Sequence, residues 1–397
     1  MSSRIDYAIV GGGPAGLAVA IFAQLAGRRA VVLEKRRGPV DKACGEGVMP
    51  PGVAWLGRMG VEVGRQGAHP FRGIRYVDGD VVAEADFVEG PGLGVRRTVL
   101  SSAMQARAAE LGADLRPECE VRAFSADADR VILETTRGRI ESRWLVGADG
   151  LHGQVRQRAG FQAVVGPQRR FGVRRHFRLP PWSDFVEVHW TDDAEAYVTP
   201  VGPDLVGVAL LWSARGGRPG DWDALLARFS GLRARLGAAA TCPETTARGA
   251  GPFSVRVEPI ARGRMALVGD AGGYLDAITG EGLSLAFATA AALVVATSGD
   301  DASAYPRAWA RLRRRHIAFT RVVLWVASHP ACRHHVLRAL SRSPEAFRAL
   351  LALNTGVWGW GRALPSVGKL GLRMLTAWSP RRTDAPRPAG AKSMSSA

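Results

Sequence analysis

A strand that runs into three spaced glycines and then a helix constrains this chain more tightly than any other feature. Residues 5–10, IDYAIV, are apolar enough for a buried strand, and they lead into GGGPAGL, which contains Gly11-x-Gly13-x-x-Gly16. A helical stretch, AVAIFAQLAG, follows, and a second strand, RAVVLEK, ends in Glu34. Gly11 permits the tight turn, Gly13 lets backbone approach a pyrophosphate, and Gly16 allows close packing of helix on strand. Glu34 lies at the spacing of a carboxylate that takes the ribose hydroxyls of an adenosine. A glycine-rich turn alone would explain the turn but not the acid.

Two later strand ends complete the pattern. Residues 144–150, WLVGADG, end in Asp149, and Arg156 comes shortly after. Residues 264–273, RMALVGDAGG, end in Gly269-Asp270 and lead to a long apolar helix starting near Gly280 to Gly282. An Asp at such a strand end can hold a ribitol hydroxyl. The helix N-terminus behind it offers backbone N–H groups and a positive dipole end to an anionic ring edge.

These separated motifs, with Arg97-Thr98-Val99-Leu100 opening another helix, resemble the FAD-dependent hydroxylase superfamily. Its members include p-hydroxybenzoate hydroxylase, geranylgeranyl reductases and flavin-dependent halogenases. The resemblance covers residues 1 to about 300. It implies an α/β fold: a Rossmann-type FAD-binding domain with an inserted antiparallel-sheet substrate domain and a C-terminal helical region. FAD is the implied cofactor, with NADPH or NADH as electron donor. Gly11, Gly13, Gly16, Glu34 and Lys35 are expected at the ADP half and Arg97 by the pyrophosphate. Asp270 is expected at the ribitol and pyrophosphate, Asp149 in a segment linked to both FAD and NADPH contacts, and Cys44, Gly45, Gly280 and Gly282 near the ring. One position departs from the family: Gly153 stands where a small hydroxyl residue precedes the final Val-Arg.

The implied organisation gives FAD-binding segments at 1–70, 96–165 and 256–300. Substrate-domain strands fall at 71–95 and an antiparallel sheet at 166–255. Helices follow at 301–380 and a disordered tail at 381–397. The sheet is legible in period-two alternation over 171–179 and in strands at 185–190, 194–201 and 204–212, separated by turn-rich pieces. Tyr197 and His189 are the candidate pocket residues on these strands and, with Cys44, the candidate catalytic ones.

The resemblance implies an FAD-dependent oxidoreductase. The leading expectation is a monooxygenase that hydroxylates or epoxidises a hydrophobic phenolic, polyketide-derived or prenylated metabolite, with O2 as co-substrate, through a flavin C4a-hydroperoxide. The loops CGEG (44–47) and TGEG (279–282) are similar to those of geranylgeranyl reductases, so saturation of isoprenoid double bonds is the alternative. A non-catalytic, membrane-docking flavoprotein is the third reading. The halogenase WxWxIP segment is absent, and Lys42 sits in a different loop from the lysine those enzymes use.

Cys44 lies in DKACGEGVMPPG, where Gly45 and Gly47 let backbone pass close to a ring and Pro50-Pro51 stiffen the exit. No His lies in the loop to activate the thiol as a nucleophile. Two roles stay open for it: lining the ring, or tuning or protonating something there. The four cysteines are far apart, without CxxC or metal-ligand spacing, so neither a disulfide framework nor a metal site is expected.

A net charge of +17 raises nucleic acid and anionic lipid as partners. No nucleic-acid recognition motif accompanies the charge, and none is expected to bind. Arg-rich helical stretches with Trp325, Trp358, Trp360 and Trp378 fit peripheral association with an anionic membrane. The first strand begins almost at once, and the apolar run 283–296 is shorter than the ~20 residues that span a bilayer. The expected location is cytoplasmic, peripheral to the inner face of the membrane.

Overall fold

The structure, a computed structural model, describes residues 5–64, 67–167, 169–213, 221–299 and 301–377. Its first sheet carries five parallel strands in the order Met265–Leu267, Gly138–Gly147, Ile5–Val10, Ala30–Glu34, Asp114–Pro117. Both faces of these strands are covered, which is why they read as nearly continuous apolar runs. Tyr7, Ile9 and Val32 face a cluster that includes the helices Pro14–Leu25, Arg97–Glu110 and Gly282–Ala296. Ala8, Val31 and Leu33 face the opposite cluster, with Val121, Val131 and Leu133.

Those last residues belong to the strands Val121–Ala126 and Val131–Thr135, which extend the long strand Gly138–Gly147 as an antiparallel meander. The meander is not among the elements read from the sequence. Its strands are short and partly exposed, so their alternation is weak.

The second sheet has seven strands, ordered Arg248–Ala250, Arg170–Arg178, Leu205–Ser213, Ala194–Gly202, Phe185–Trp190, Gly73–Asp78, Val81–Asp86. It is antiparallel except where Phe185–Trp190 runs parallel to Gly73–Asp78. No hairpin joins those two strands, which lie about a hundred residues apart in sequence, so nothing forces an antiparallel pair there. In the central strand, Ala194, Ala196 and Val198 pack under the helices Trp222–Leu226 and Ser230–Leu236. The alternate residues Tyr197 and Thr199 face the interior between sheet and FAD domain.

Four helices follow: Ala304–Ala327, Pro330–Ser341, Pro344–Thr355 and Trp360–Ala377. Proline at the first turn starts the middle two, where its missing N–H costs nothing. These two helices cover the edge strand Val81–Asp86. Trp378 and the tail at 381–397, expected to be disordered, lie outside the described residues. Among the described residues no helix is long and apolar enough to cross a membrane.

The buried Arg333 locks the helical layer to the sheet, meeting Asp78 Oδ1 at 3.2 Å and donating to the Thr191 carbonyl at 2.9 Å. Replacing it leaves the Asp78 carboxylate with only His334 Nδ1, 3.6 Å away, as a side-chain neighbour among the described residues. Arg333→Met is expected to lower unfolding free energy by about 3–5 kcal/mol, read as a lower urea midpoint at unchanged slope.

Candidate active site

A cavity of about 940 Å³ runs from the glycine turn of the first sheet to the inner face of the second. At its nucleotide end, Gly11 has φ +116°, and a Cβ there would lie 2.5 Å from the Ala148 carbonyl oxygen. A Cβ on Gly16 would stand 2.0 Å from the Gly11 carbonyl oxygen, so helix and strand approach only because both residues are glycine. A Cβ on Gly13 would meet nothing within 4 Å, leaving the backbone of the helix start open to the cavity. Glu34 accepts from Gly12 N–H at 2.8 Å and Arg36 N–H at 3.0 Å, which fixes its carboxylate at the cavity wall. Lys35 is exposed at the rim.

Further in, Lys42 Nζ lies 2.6 Å from Asp270 Oδ2. Burial pushes the Asp270 carboxyl up, but Lys42, Arg97 and Arg313 outweigh it and hold it below the ordinary range. The buried Arg97 donates from Nη2 to Cys44 Sγ at 2.8 Å, while its Nε has no partner among the described residues. Cys44 also accepts from the Glu46 N–H at 3.3 Å. The thiol lines the cavity and orients a guanidinium at the same time. Gly280, at φ +70°, and Gly282 bring the N-terminus of the helix Gly282–Ala296 to the wall.

Asp149 lines the cavity with Oδ1 buried and unpartnered, and burial raises its carboxyl above the ordinary value. Its Oδ2 accepts from Val155 N–H at 2.9 Å, in the first turn of the helix Gln154–Arg158. A Cβ at Gly153 would stand 2.1 Å from Asp149 Oδ1. The departure from the family pattern therefore has a local reason: the Asp149 carboxylate fills that space and does the capping. Arg156 is committed to the carbonyls of Leu151 and Ala271 and ties two loops together.

These features fit FAD: an open glycine cradle, a ribose-side carboxylate, an unsatisfied buried arginine nitrogen and a helix N-terminus around one cavity. When bound, FAD supplies redox chemistry at the ring. The chain supplies the cradle, the cation Arg97 and the positive helix end.

The remaining walls come from the second sheet and the C-terminal helices. Val186, Val188, Leu211, Phe253 and Phe319 make them apolar. Tyr197 lines the cavity, but its hydroxyl donates to the Ile278 carbonyl at 3.1 Å and contacts Glu195 Oε2 at 3.3 Å. Glu195 forms a two-point pair with Arg170, at 3.0 and 2.9 Å, and Arg170 Nε reaches Asp276 Oδ2 at 2.8 Å. Burial drives Asp276 up to about 6 even against Arg170.

His189 does not line the cavity. Strand alternation turns Val186 and Val188 inward and sends Glu187 and His189 to the opposite face. There His189 Nε2 meets Glu187 Oε2 at 3.0 Å. Burial opposes charge on Glu187, yet His189, Trp182 and Arg75 hold its carboxyl at about 2. The expectation for His189 as a pocket residue is thus corrected: it is one register step out of phase.

Several residues at the site escaped sequence reasoning. Glu46 accepts from the Arg97 N–H at 2.8 Å and meets His176 Nε2 at 2.6 Å, fully buried. Asn354, buried on the helix Pro344–Thr355, lines the cavity with Oδ1 unpartnered. Glu46 had a signal, an acid between two loop glycines. Asn354 had none, since nothing in the sequence places its helix over the cavity.

Residues 4–297 match the family described as FAD binding domain. The menaquinone reductase of Mycolicibacterium smegmatis is 26% identical over 337 residues, 80% of this chain and 82% of that protein. The solved anhydrotetracycline hydroxylase from Streptomyces rimosus superposes with a TM-score of 0.66 at 27% identity, covering 89% of this chain and 76% of that one. A flavoprotein/dehydrogenase from Cytophaga hutchinsonii superposes with a TM-score of 0.80 over 94% of this chain and 98% of that one; at 18% identity it speaks for the fold alone.

Glu281, at the start of the helix Gly282–Ala296, is buried with Oε1 unpartnered among the described residues, and burial, opposed by Ser284, pushes its carboxyl up to about 7. The folded state holds this proton more tightly than the unfolded chain does. Stability therefore falls as pH rises from about 4.5 to about 7, by ~3 kcal/mol. Glu281→Gln is expected to remove that decline. Melting curves of the FAD-free protein should converge near pH 5 and separate by pH 8, with the variant higher.

Proposed function

The chain belongs to the FAD binding domain family and is an FAD-dependent oxidoreductase, and from that premise we propose a monooxygenase acting on a hydrophobic, hydroxyl-bearing aromatic metabolite. NADH or NADPH is the proposed source of electrons. FAD, once bound and reduced, supplies the activation of O2. The protein's part is to orient the substrate, exclude water and stabilise charge at the ring edge through the helix N-terminus at Gly282.

The observation that carries this reading is Asn354 Oδ1, a buried acceptor without a partner among the described residues, beside Thr279 in a cavity wall that is apolar at Val186, Val188, Leu211 and Phe319. A phenolic O–H donates to it. A bare hydrocarbon chain would leave it unsatisfied, at a cost of about 1–3 kcal/mol. The apolar walls from Val186, Val188, Leu211 and Phe319 accommodate an alkyl, polyketide or prenyl body. Tyr197, tied to the Ile278 carbonyl, acts as a positioning residue for the loop that leads to Gly280.

Ene-reduction is the second reading, and two observations favour it. The similarity to a menaquinone reductase extends over most of both chains, and Cys44 of the CGEG loop lines the cavity.

Turnover under labelled O2 separates the two. With NADH or NADPH and long-chain alkylphenols as substrates, we expect one labelled oxygen atom in the product and no turnover without O2. Asn354→Leu should raise KM about 10-fold while FAD content stays unchanged. Anaerobic saturation of a prenyl substrate, or product without label, overturns the monooxygenase.

A further inference from the structure

Charge is distributed very unevenly along this chain. Residues 1–300 carry 36 Lys+Arg against 33 Asp+Glu, whereas residues 301–397 carry 17 against 3. Almost all of the net positive charge therefore belongs to the C-terminal part. Within 301–377 only Asp301 and Glu345 are acidic, so most of its arginines have no carboxylate in their own layer to neutralise them.

The helix Ala304–Ala327 sorts its residues accordingly. His316 and Thr320 are buried, while Arg311, Arg314, Arg315 and Arg321 are exposed at helical spacing. The same outward stripe ends in Val322 and Trp325, at 61% and 57% exposure. On the helix Trp360–Ala377, Trp360 and Leu364 are likewise exposed, one turn apart on the same face, while the exposed Arg362 and Lys369 lie on the far side of that helix. Arg315 Nη1 donates to the Trp358 carbonyl at 3.3 Å and joins the two helical segments.

We propose that this helical layer docks the protein on an anionic lipid surface, with the arginines at the headgroups and Val322, Trp325, Trp360 and Leu364 in the interface. Arginine with Val322 and Trp325 on one stripe of the helix Ala304–Ala327 fits a surface that is both negative and apolar beneath. Nucleic acid offers the charge but leaves the aliphatic groups uncovered. Phe319, Leu351 and Asn354 of the same layer line the cavity, so a lipophilic molecule leaving the bilayer meets the layer that walls the site. The docking surface is independent of whether the reaction is oxygenation or ene-reduction.

Flotation of the full-length FAD-loaded protein tests this, using phosphatidylcholine vesicles with and without phosphatidylglycerol. Binding is expected only with phosphatidylglycerol, and high salt should weaken it. Arg314→Gln with Arg321→Gln should lower partitioning about five-fold per arginine. Val322→Glu with Trp325→Glu should abolish flotation while FAD content and circular dichroism stay unchanged. The proposal is overturned if the protein stays unbound at low salt or binds neutral vesicles equally well. It is equally overturned if the Val322→Glu, Trp325→Glu variant floats like the natural protein, or if duplex DNA outcompetes the anionic vesicles.

Discussion

The carboxylate of Glu46 is the joint on which the site depends. It sits in the CGEG loop at φ +59°, a left-handed conformation uncommon for a residue with a side chain. That backbone turn aims one oxygen at the N–H that opens the helix Arg97–Glu110 and the other at His176 on the second sheet. Arg174 stands 3.6 Å from the same carboxylate and pairs with Asp41 at 2.5 Å. One buried side chain thus connects the FAD domain loop, a helix of the FAD domain and the second sheet. A polar group in such a place is costly unless paired, and both of its oxygens are hydrogen-bonded. Its pull on the loop is what brings Cys44 against Arg97.

Cys44 acquires its meaning from that geometry. Its sulfur accepts from a guanidinium and from the backbone, so the thiol completes a hydrogen-bonded stretch of the cavity wall. The absence of a histidine partner in the loop already argued against a nucleophile. Arg97 explains the positive requirement: its side chain is buried, and a sulfur within reach satisfies one nitrogen without introducing another fixed charge. Asp149 and Gly153 show the same economy in reverse. Removing a side chain at 153 makes room for a carboxylate that then caps the short helix itself.

How much of this was legible in the sequence follows from how local each constraint is. The glycine turn, Glu34 and the two strand-terminal acids depend on contacts within a few residues or along one sheet, and their spacing reveals them. Lys42 pairs with Asp270 across 228 residues, and Glu46 meets His176 across 130, so no spacing rule connects them. His189 shows a different limit. Alternation identified its strand, but which parity faces the cavity is decided by helices Trp222–Leu226 and Ser230–Leu236 on the other side. A period of two has no preferred sign until a neighbour covers one face. The parallel pairing of Phe185–Trp190 with Gly73–Asp78 was hidden for a related reason, since two distant strands can meet in either direction.

Chemistry and specificity in this protein are therefore written in different parts of the chain. The cofactor end is built from turns that need glycine and from acids at strand ends, and these residue types leave motifs. The other end of the cavity is walled by Val186, Val188, Phe319 and Leu351, with Tyr197, Thr279 and Asn354 as polar groups among them. Apolar walls tolerate exchange of one aliphatic residue for another of similar volume, so they carry no fixed signature. Phe319 also sits on the helix Ala304–Ala327, whose outer face is arginine-rich, and the composition of that helix reflects its exposed side as much as the cavity. A single polar atom placed by such a helix can select among substrates, because leaving it unpaired costs as much as the whole margin between two apolar ligands. The cofactor cradle is thus shared by relatives of different reaction type, whereas Phe319, Leu351 and Asn354 close the cavity from a layer that leaves no motif.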